Sequence, residues 1–187
     1  MAMPFAELDW TAQMVRDLPD DGQRHEVVDG EHLVTPAPRL LHQRAIAHLF
    51  RELAPYVDAH GLGEPLMSPA DVAYGPRTLV QPDLFVIPLL GARRARDWKE
   101  LPPLTLAVEV ISPSSARGDR IVKRKLFQRE GIPEYWIVDL DARLVERWRP
   151  VDARPEVLAE ALNWQPRPDV PPLELDLVGY FGDVLDA

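Results

Sequence analysis

Two apolar runs in this chain each carry a carboxylate where a buried strand has least room for one. Residues 79–87 read Leu-Val-Gln-Pro-Asp-Leu-Phe-Val-Ile, with Asp83 inside, and residues 104–111 read Leu-Thr-Leu-Ala-Val-Glu-Val-Ile, with Glu109 inside. Strand side chains alternate between faces. Asp83 therefore shares a face with Leu79, Gln81, Phe85 and Ile87, and Glu109 shares one with Ala107 and Ile111. An ionised carboxylate buried without a partner costs several kcal/mol, so each acid demands compensation. If the two strands are neighbours, the acids meet at one end of a sheet. Oxygen ligands of this kind suit Mg²⁺ or Mn²⁺. The plainer alternative places each acid in water near a strand end.

A third charge belongs with them. Residues 117–130 read as a helix closed by Gly131, rich in base: Arg117, Arg120, Lys123, Arg124, Lys125 and Arg129 against Asp119. Val122, Leu126 and Phe127 mark its buried arc. At about 100° per residue, Lys123 falls between Leu126 and Phe127, with Asp119 one turn earlier. An inward lysine needs a carboxylate. It is met either by an ion pair with Asp119 or by a stem that snorkels to the edge. The outward bases form a solvated face or a phosphate-contacting patch. Glu26 is a further candidate acid, sharing a strand face with Arg24 and Val28, with an exposed or salt-bridged carboxylate as the alternative.

The remaining elements follow from local pattern. Residues 9–18 read as a short helix. Asp29-Gly30 between residues 24–28 and 31–35 is a hairpin signal. Residues 40–60 form the clearest helix, with Ile46, Leu49, Phe50, Leu53, Tyr56 and Val57 at helical spacing and Gly61 to end it. Strands are expected over 70–74, 79–87, 104–111, 135–139 and 144–149, an edge strand over 156–160, and a closing helix over 177–185. Residues 91–101 read as a loop or irregular helix, and 163–169 as a candidate for disorder. Strands and helices intermix, so the class is α/β, bordering on α+β, around one mixed sheet. With 187 residues, of which 46% are hydrophobic, residues 1–187 are read as a single domain.

Composition excludes several classes. No stretch approaches the roughly 18 apolar residues of a membrane helix. Met1 to Glu7 lack the basic and apolar regions of a signal peptide. The absence of cysteine removes disulfides and thiolate zinc sites, which fits a cytoplasmic protein. A net charge of −9 disfavours a dedicated nucleic-acid binder, although a carboxylate-rich metal site adds negative charge by itself. His25 and His32 flank the hairpin turn. His42 and His48 lie six apart, not at the i, i+4 spacing of paired ligands; His42 either hydrogen-bonds near the site or, more simply, is structural. Ser112, Ser114 and Ser115 lack a Gly-x-Ser-x-Gly elbow and read as a turn and helix cap.

The segments Arg24 to Glu31, Gln81-Pro82-Asp83, Val108 to Ser114, Asp119 to Lys123 and Gly131 to Asp139 together resemble the Uma family of restriction-endonuclease-like proteins, within the PD-(D/E)XK nuclease superfamily. The Glu-Val-Ile-Ser-Pro-Ser and Gly-Ile-Pro-Glu-Tyr-Trp-Ile-Val-Asp segments carry the specificity of that resemblance. It implies a restriction-endonuclease-like core with an N-terminal helix and hairpin. Asp83 and Glu109 match metal-binding acids, the Val110 carbonyl is implied as a further ligand, and Glu26 matches an acid from an earlier element. The superfamily's lysine stands two residues after the second acid, where this chain has Ile111. In the Uma family it comes from the following helix, where Lys123 stands. His25 and Phe127 replace tyrosines common in the family. The implied activity is Mg²⁺-dependent (or Mn²⁺-dependent) hydrolysis of DNA phosphodiesters, by a protein that a symmetric cut would favour as a homodimer. An inactive binding or assembly module of the same fold is the alternative.

Overall fold

The computed structural model describes residues 9–91 and 93–186, so the signal-peptide expectation for Met1 to Glu7 lies outside the described residues. The first helix is shorter than its sequence pattern, α1 covering Ala12–Arg16. The Thr11 hydroxyl caps it by accepting the Met14 N–H. Trp10 stays outside because its N–H is donated to the Gly30 carbonyl. The hairpin forms as expected from β1 (Arg24–Val28) and β2 (Glu31–Thr35). Asp29 and Gly30 take φ of 52° and 90°, the left-handed pair a two-residue turn requires.

Helix α2 (Leu40–Ala59) buries Ala45, Ile46, Leu49, Leu53, Tyr56 and Val57. Gly61 ends it at φ 57°, with its N–H on the Asp58 carbonyl and the Leu62 N–H on the Val57 carbonyl. Strand β3 (Glu64–Met67) follows, unforeseen in the sequence because Pro65 masks it. It lies at a sheet edge, where proline is tolerated. Strand β4 is only Val72–Ala73.

The expected strand over 79–87 is broken in two, β5 (Leu79–Val80) and β6 (Leu84–Ile87). Pro82 has no N–H for a ladder, and the chain crosses here from one sheet to another. Ser68 pins the crossing. Its hydroxyl donates to the Pro82 carbonyl at 2.7 Å and its N–H to the Asp83 carbonyl at 3.1 Å. Asp83 therefore sits in the break rather than on a continuous pleat.

Strand β7 (Leu106–Ile111) runs antiparallel to β6 and parallel to β8 (Glu134–Asp139). A helical crossover joins β7 to β8. It contains a π-helical turn over Gly118–Lys123 and then α3 (Arg124–Arg129). Gly131, at φ 70°, closes it. Strands β9 (Leu144–Trp148) and β10 (Glu156–Leu158) complete a six-stranded sheet ordered β10-β9-β8-β7-β6-β3. Residues 144–149 are internal, and β10 holds the edge expected over 156–160. A second sheet is ordered β2-β1-β5-β4.

The chain ends with β11 (Ala161–Trp164), β12 (Leu173–Asp176) and α4 (Leu177–Leu185). The disorder expected around 163–169 is not what forms. Leu162 and Trp164 are buried and β11 pairs with β12, so the prolines of 166–172 lie in the connection between two strands. Among the described residues of 91–101 lies a 3₁₀ turn, Trp98–Glu100. A mixed sheet flanked by helices is the α/β architecture the sequence implies.

Alternation divides the six-stranded sheet into two faces. Leu84, Val86, Leu106, Val108, Val110, Trp136 and Val138 pack with the buried residues of α2 and α4. Phe85, Ala107, Ile111, Tyr135 and Ile137 pack with Leu126 and Phe127 of α3 and Val28 of β1. Glu109 points to this second side. No helix among the described residues is long and apolar enough to cross a membrane.

Candidate active site

Register brings the two acids together. β6 pairs with β7 through Leu84↔Val108, and one further step places Asp83 opposite Glu109. The Val110 N–H donates to Asp83 Oδ2 at 2.8 Å, tying the break before β6 to β7. Glu26 from β1 and Asp119 from the π-helical turn close on the same point. All four carboxylates are buried, none more than 3% exposed.

Lys123 stands among them, itself 3% exposed. Its Nζ lies 2.7 Å from Glu26 Oε2, 2.9 Å from Glu109 Oε1 and 3.3 Å from Asp119 Oδ1. The pair with Asp119 expected from helical spacing is present, and the two strand acids join it. Glu26 uses its other oxygen to accept the Gln81 N–H at 2.6 Å, so the site also orders the bend before Pro82. The π turn carries Asp119, whose carbonyl accepts the Tyr135 hydroxyl at 3.1 Å. Such turns are frequent at functional sites.

Two further residues reach the site: Arg24, which the sequence reading missed, and His42, whose hydrogen bond near the site was its less simple reading. Arg24 Nη1 lies 2.7 Å from Asp83 Oδ1 and 3.9 Å from Glu109 Oε2. His42 Nε2 lies 2.9 Å from Asp83 Oδ2. Arg24 had a signal, since it shares a strand face with Glu26 two residues on. His42 had little. Its spacing from His48 is not that of a ligand pair, and its partner lies 41 residues away in sequence. The serines after β7 tie a turn, the Ser112 N–H donating to Ser115 Oγ at 3.0 Å. The outward arginines of the crossover are engaged locally: Arg117 with Glu31, Arg120 with Asp139 and Glu146, and Arg129 with Asp29. These pairings compete with the phosphate-contacting patch that the outward bases could form.

The charges do not balance. Four buried carboxylates face one ammonium and one guanidinium, with His42 beside Asp83. Burial pushes the Asp83 carboxyl up. The His42 hydrogen bond and the charges of Arg24, His42 and Lys123 outweigh it and hold Asp83 below the ordinary carboxylate range. Glu109 goes the other way. Burial drives its carboxyl well above its ordinary value of 4.5, Lys123 opposes this, and Asp83, Asp119 and Glu26 add repulsion. Burial also raises Asp119. Lys123 is pulled down by burial but held well above 10.5 by Glu109, Glu26 and Asp119, so it stays an ammonium. Burial and the crowding of acids thus favour the protonated form of Glu109, while its neighbours favour the ionised form of Asp83.

The site opens into a cavity of about 320 Å³ lined by Arg24, Pro38, Arg39, His42, Asp83, Glu109, Ser114, Lys123 and Leu185. Among the described residues, no three His, Cys, Asp or Glu side chains already form a metal cage. Asp83 and Glu109 instead make a two-carboxylate pair spanned by a single cationic nitrogen. Magnesium commonly binds through one or two carboxylates while keeping water and substrate oxygens. Hard oxygen donors, surplus negative charge and a cation already between the two acids fit a divalent ion of that class.

Residues 12–178 match the sequence profile of the Uma2 family, described as "Putative restriction endonuclease". No curated protein matches the chain. A solved structure described as a "putative nuclease belonging to DUF820" from Anabaena variabilis superimposes with a TM-score of 0.74 over 94% of this chain and 99% of that one. Sequence identity is 18%, so that likeness is one of fold.

Proposed function

This chain belongs to the Uma2 family, and from that premise we propose that it is a metal-dependent endonuclease that hydrolyses DNA phosphodiester bonds. The observation that carries the proposal is the meeting of Asp83 and Glu109, from the start of one strand and the middle of its neighbour, beside a buried lysine at the wall of one cavity. Asp83 and Glu109, with the Val110 carbonyl as a further oxygen, would hold Mg²⁺ or Mn²⁺. Bound there, the ion supplies Lewis-acid polarisation of the phosphate and lowers the pKa of a water.

The chain's own groups supply the rest. Lys123 stays protonated, so it is a fixed positive charge that either stabilises charge building on the phosphate oxygens or, by giving up one carboxylate, orients the attacking water. Glu26 and Asp119 hold that ammonium from two further directions, which fixes it before substrate arrives. His42 holds Asp83 from α2 at Oδ2, the oxygen that also accepts the Val110 N–H. Water adds to phosphorus, the bond to the leaving oxygen breaks, and that oxygen takes up a proton.

Plasmid DNA incubated with purified protein and Mn²⁺ tests the reading. Nicking by the wild type that is lost in Asp83→Ala supports it. Equal nicking by both proteins marks contamination and removes the claim.

A second reading has its own support. The local neutralisation of Arg117, Arg120 and Arg129, with a net charge of −9, favours a non-catalytic module of the same fold. That reading predicts no heat on Mn²⁺ titration and unchanged function in Glu109→Gln. A homodimer would use the open edge at β10, where Val157 is exposed. Sedimentation of Val157→Lys against the wild type checks it.

A further inference from the structure

Arg24 occupies an unusual position for a structural ion pair. One nitrogen, Nη1, lies 2.7 Å from Asp83 Oδ1 and 3.9 Å from Glu109 Oε2. These are the two acids assigned to the metal, and each lies closest to Arg24 through the oxygen that its other partner leaves open. Lys123 takes Glu109 Oε1, and His42 and the Val110 N–H take Asp83 Oδ2. The guanidinium therefore sits at the pair of oxygens a divalent ion would require.

We propose that Arg24 is a displaceable counter-ion, holding the Asp83–Glu109 pair in the metal-free protein and competing with the divalent cation for it. The inference rests on the metal-dependent reading of the site.

Three observations support it. Without a cation at this point, Asp83 and Glu109 would be buried together with only Lys123 and His42 to offset them, which is costly. Arg24 is attached less firmly than Lys123. Its side chain is 16% exposed against 3%, and it lies on the strand at the cavity wall rather than between three acids. It also has somewhere to go. The same Nη1 already donates to the Gln81 carbonyl at 3.3 Å. A second cavity of about 260 Å³ adjoins it, lined by Gln23, Ala37, Ser68 and Gln81. The carbonyl and the Gln81 and Ser68 side chains there offer polar surface to a guanidinium that leaves the acids. A cation built into a pair of ligands reduces apparent metal affinity by the fraction of molecules it occupies.

Two measurements on the whole protein test this. In the first, calorimetric Mn²⁺ titration compares the wild type with Arg24→Gln and Arg24→Lys. Tighter binding by about tenfold or more in Arg24→Gln, with Arg24→Lys near the wild type, supports competition. Equal or weaker binding in Arg24→Gln overturns it. In the second, which needs no variant to fold, the wild type is labelled with phenylglyoxal and peptides are mapped by mass spectrometry. Labelling of Arg24 that rises about severalfold on adding Mg²⁺ supports release, and unchanged labelling overturns it. If neither the wild type nor Arg24→Gln takes up Mn²⁺, the metal-dependent reading falls and this inference with it. If the wild type binds the ion and Arg24→Gln gains nothing, only the inference falls.

Discussion

The two faces of the six-stranded sheet are built from alternate residues of the same strands and do different work. On one face, Val108 and Val110 of β7 and Trp136 and Val138 of β8 meet α2 and α4, and the charges that reach this face, Glu134 and the buried Arg147, stand beside Trp136, whose indole N–H donates to Glu134 at 2.7 Å. On the other, Ala107 and Ile111 flank Glu109, and the apolar packing stops where four acids and two cations begin. A period of two thus lets one strand serve a core and a site without compromise. The first face depends mainly on volume and fit, its buried Arg147 being satisfied by the Asn163 carbonyl at 2.6 Å. The charged face needs every group compensated, and in the metal-free protein its acids outnumber their partners. Stability and chemistry should therefore separate by face.

The largest effect that could break this comparison is in the core. Trp136 is fully buried, its ring edge-on to Trp164 at 6.0 Å between centroids. Trp136→Ala should cost about 3–5 kcal/mol in denaturant unfolding while leaving Mn²⁺ affinity of the folded protein unchanged. A matching loss of affinity would show that the faces are not independent.

Next in size is Glu109→Gln, which keeps shape and removes charge. Hydrolysis should fall by about 10²-fold or more in a plasmid assay. Stability should respond with the opposite sign. The folded-state value of Glu109 is raised above 4.5, so its contribution is fully present below that value and is lost as pH rises through the raised one. Asp83, held low, contributes above 3.8 and is lost as pH falls. Metal-free wild type should thus lose melting temperature as pH climbs above 4.5, and Glu109→Gln should flatten that slope. Identical pH profiles would contradict the upward shift of Glu109.

The smallest effect belongs to the outer rim. Arg129 pairs with Asp29 at 2.7 Å, but both side chains are at least half exposed. Arg129→Ala should change unfolding free energy by under about 1 kcal/mol and leave cleavage intact. A large loss of cleavage alone would restore the crossover arginines as a substrate contact.

Much of this was legible in the chain because the signals were local. Alternation placed Glu109 on its face, helical spacing placed Lys123 inward despite the π turn, and Asp29-Gly30 marked its hairpin. The misses have a common cause in long-range pairing. Pro82 lies inside an apolar run that reads as one strand, and only the exchange between two sheets shows why it breaks there. β3, β11 and β12 hide because prolines lie in or between them, yet partners elsewhere in the sheet or across the loop stabilise them. Arg24 and His42 reach Asp83 from residues 59 and 41 positions away, and local pattern does not identify that partner for either.

The most direct test of the central claim is a crystal structure of the protein soaked with Mn²⁺, using the anomalous signal to locate the ion. The account predicts a peak between Asp83 and Glu109, with Lys123 still held by Glu26 and Asp119. A peak elsewhere, or no peak at saturating Mn²⁺ with Arg24 still against both acids, would contradict it.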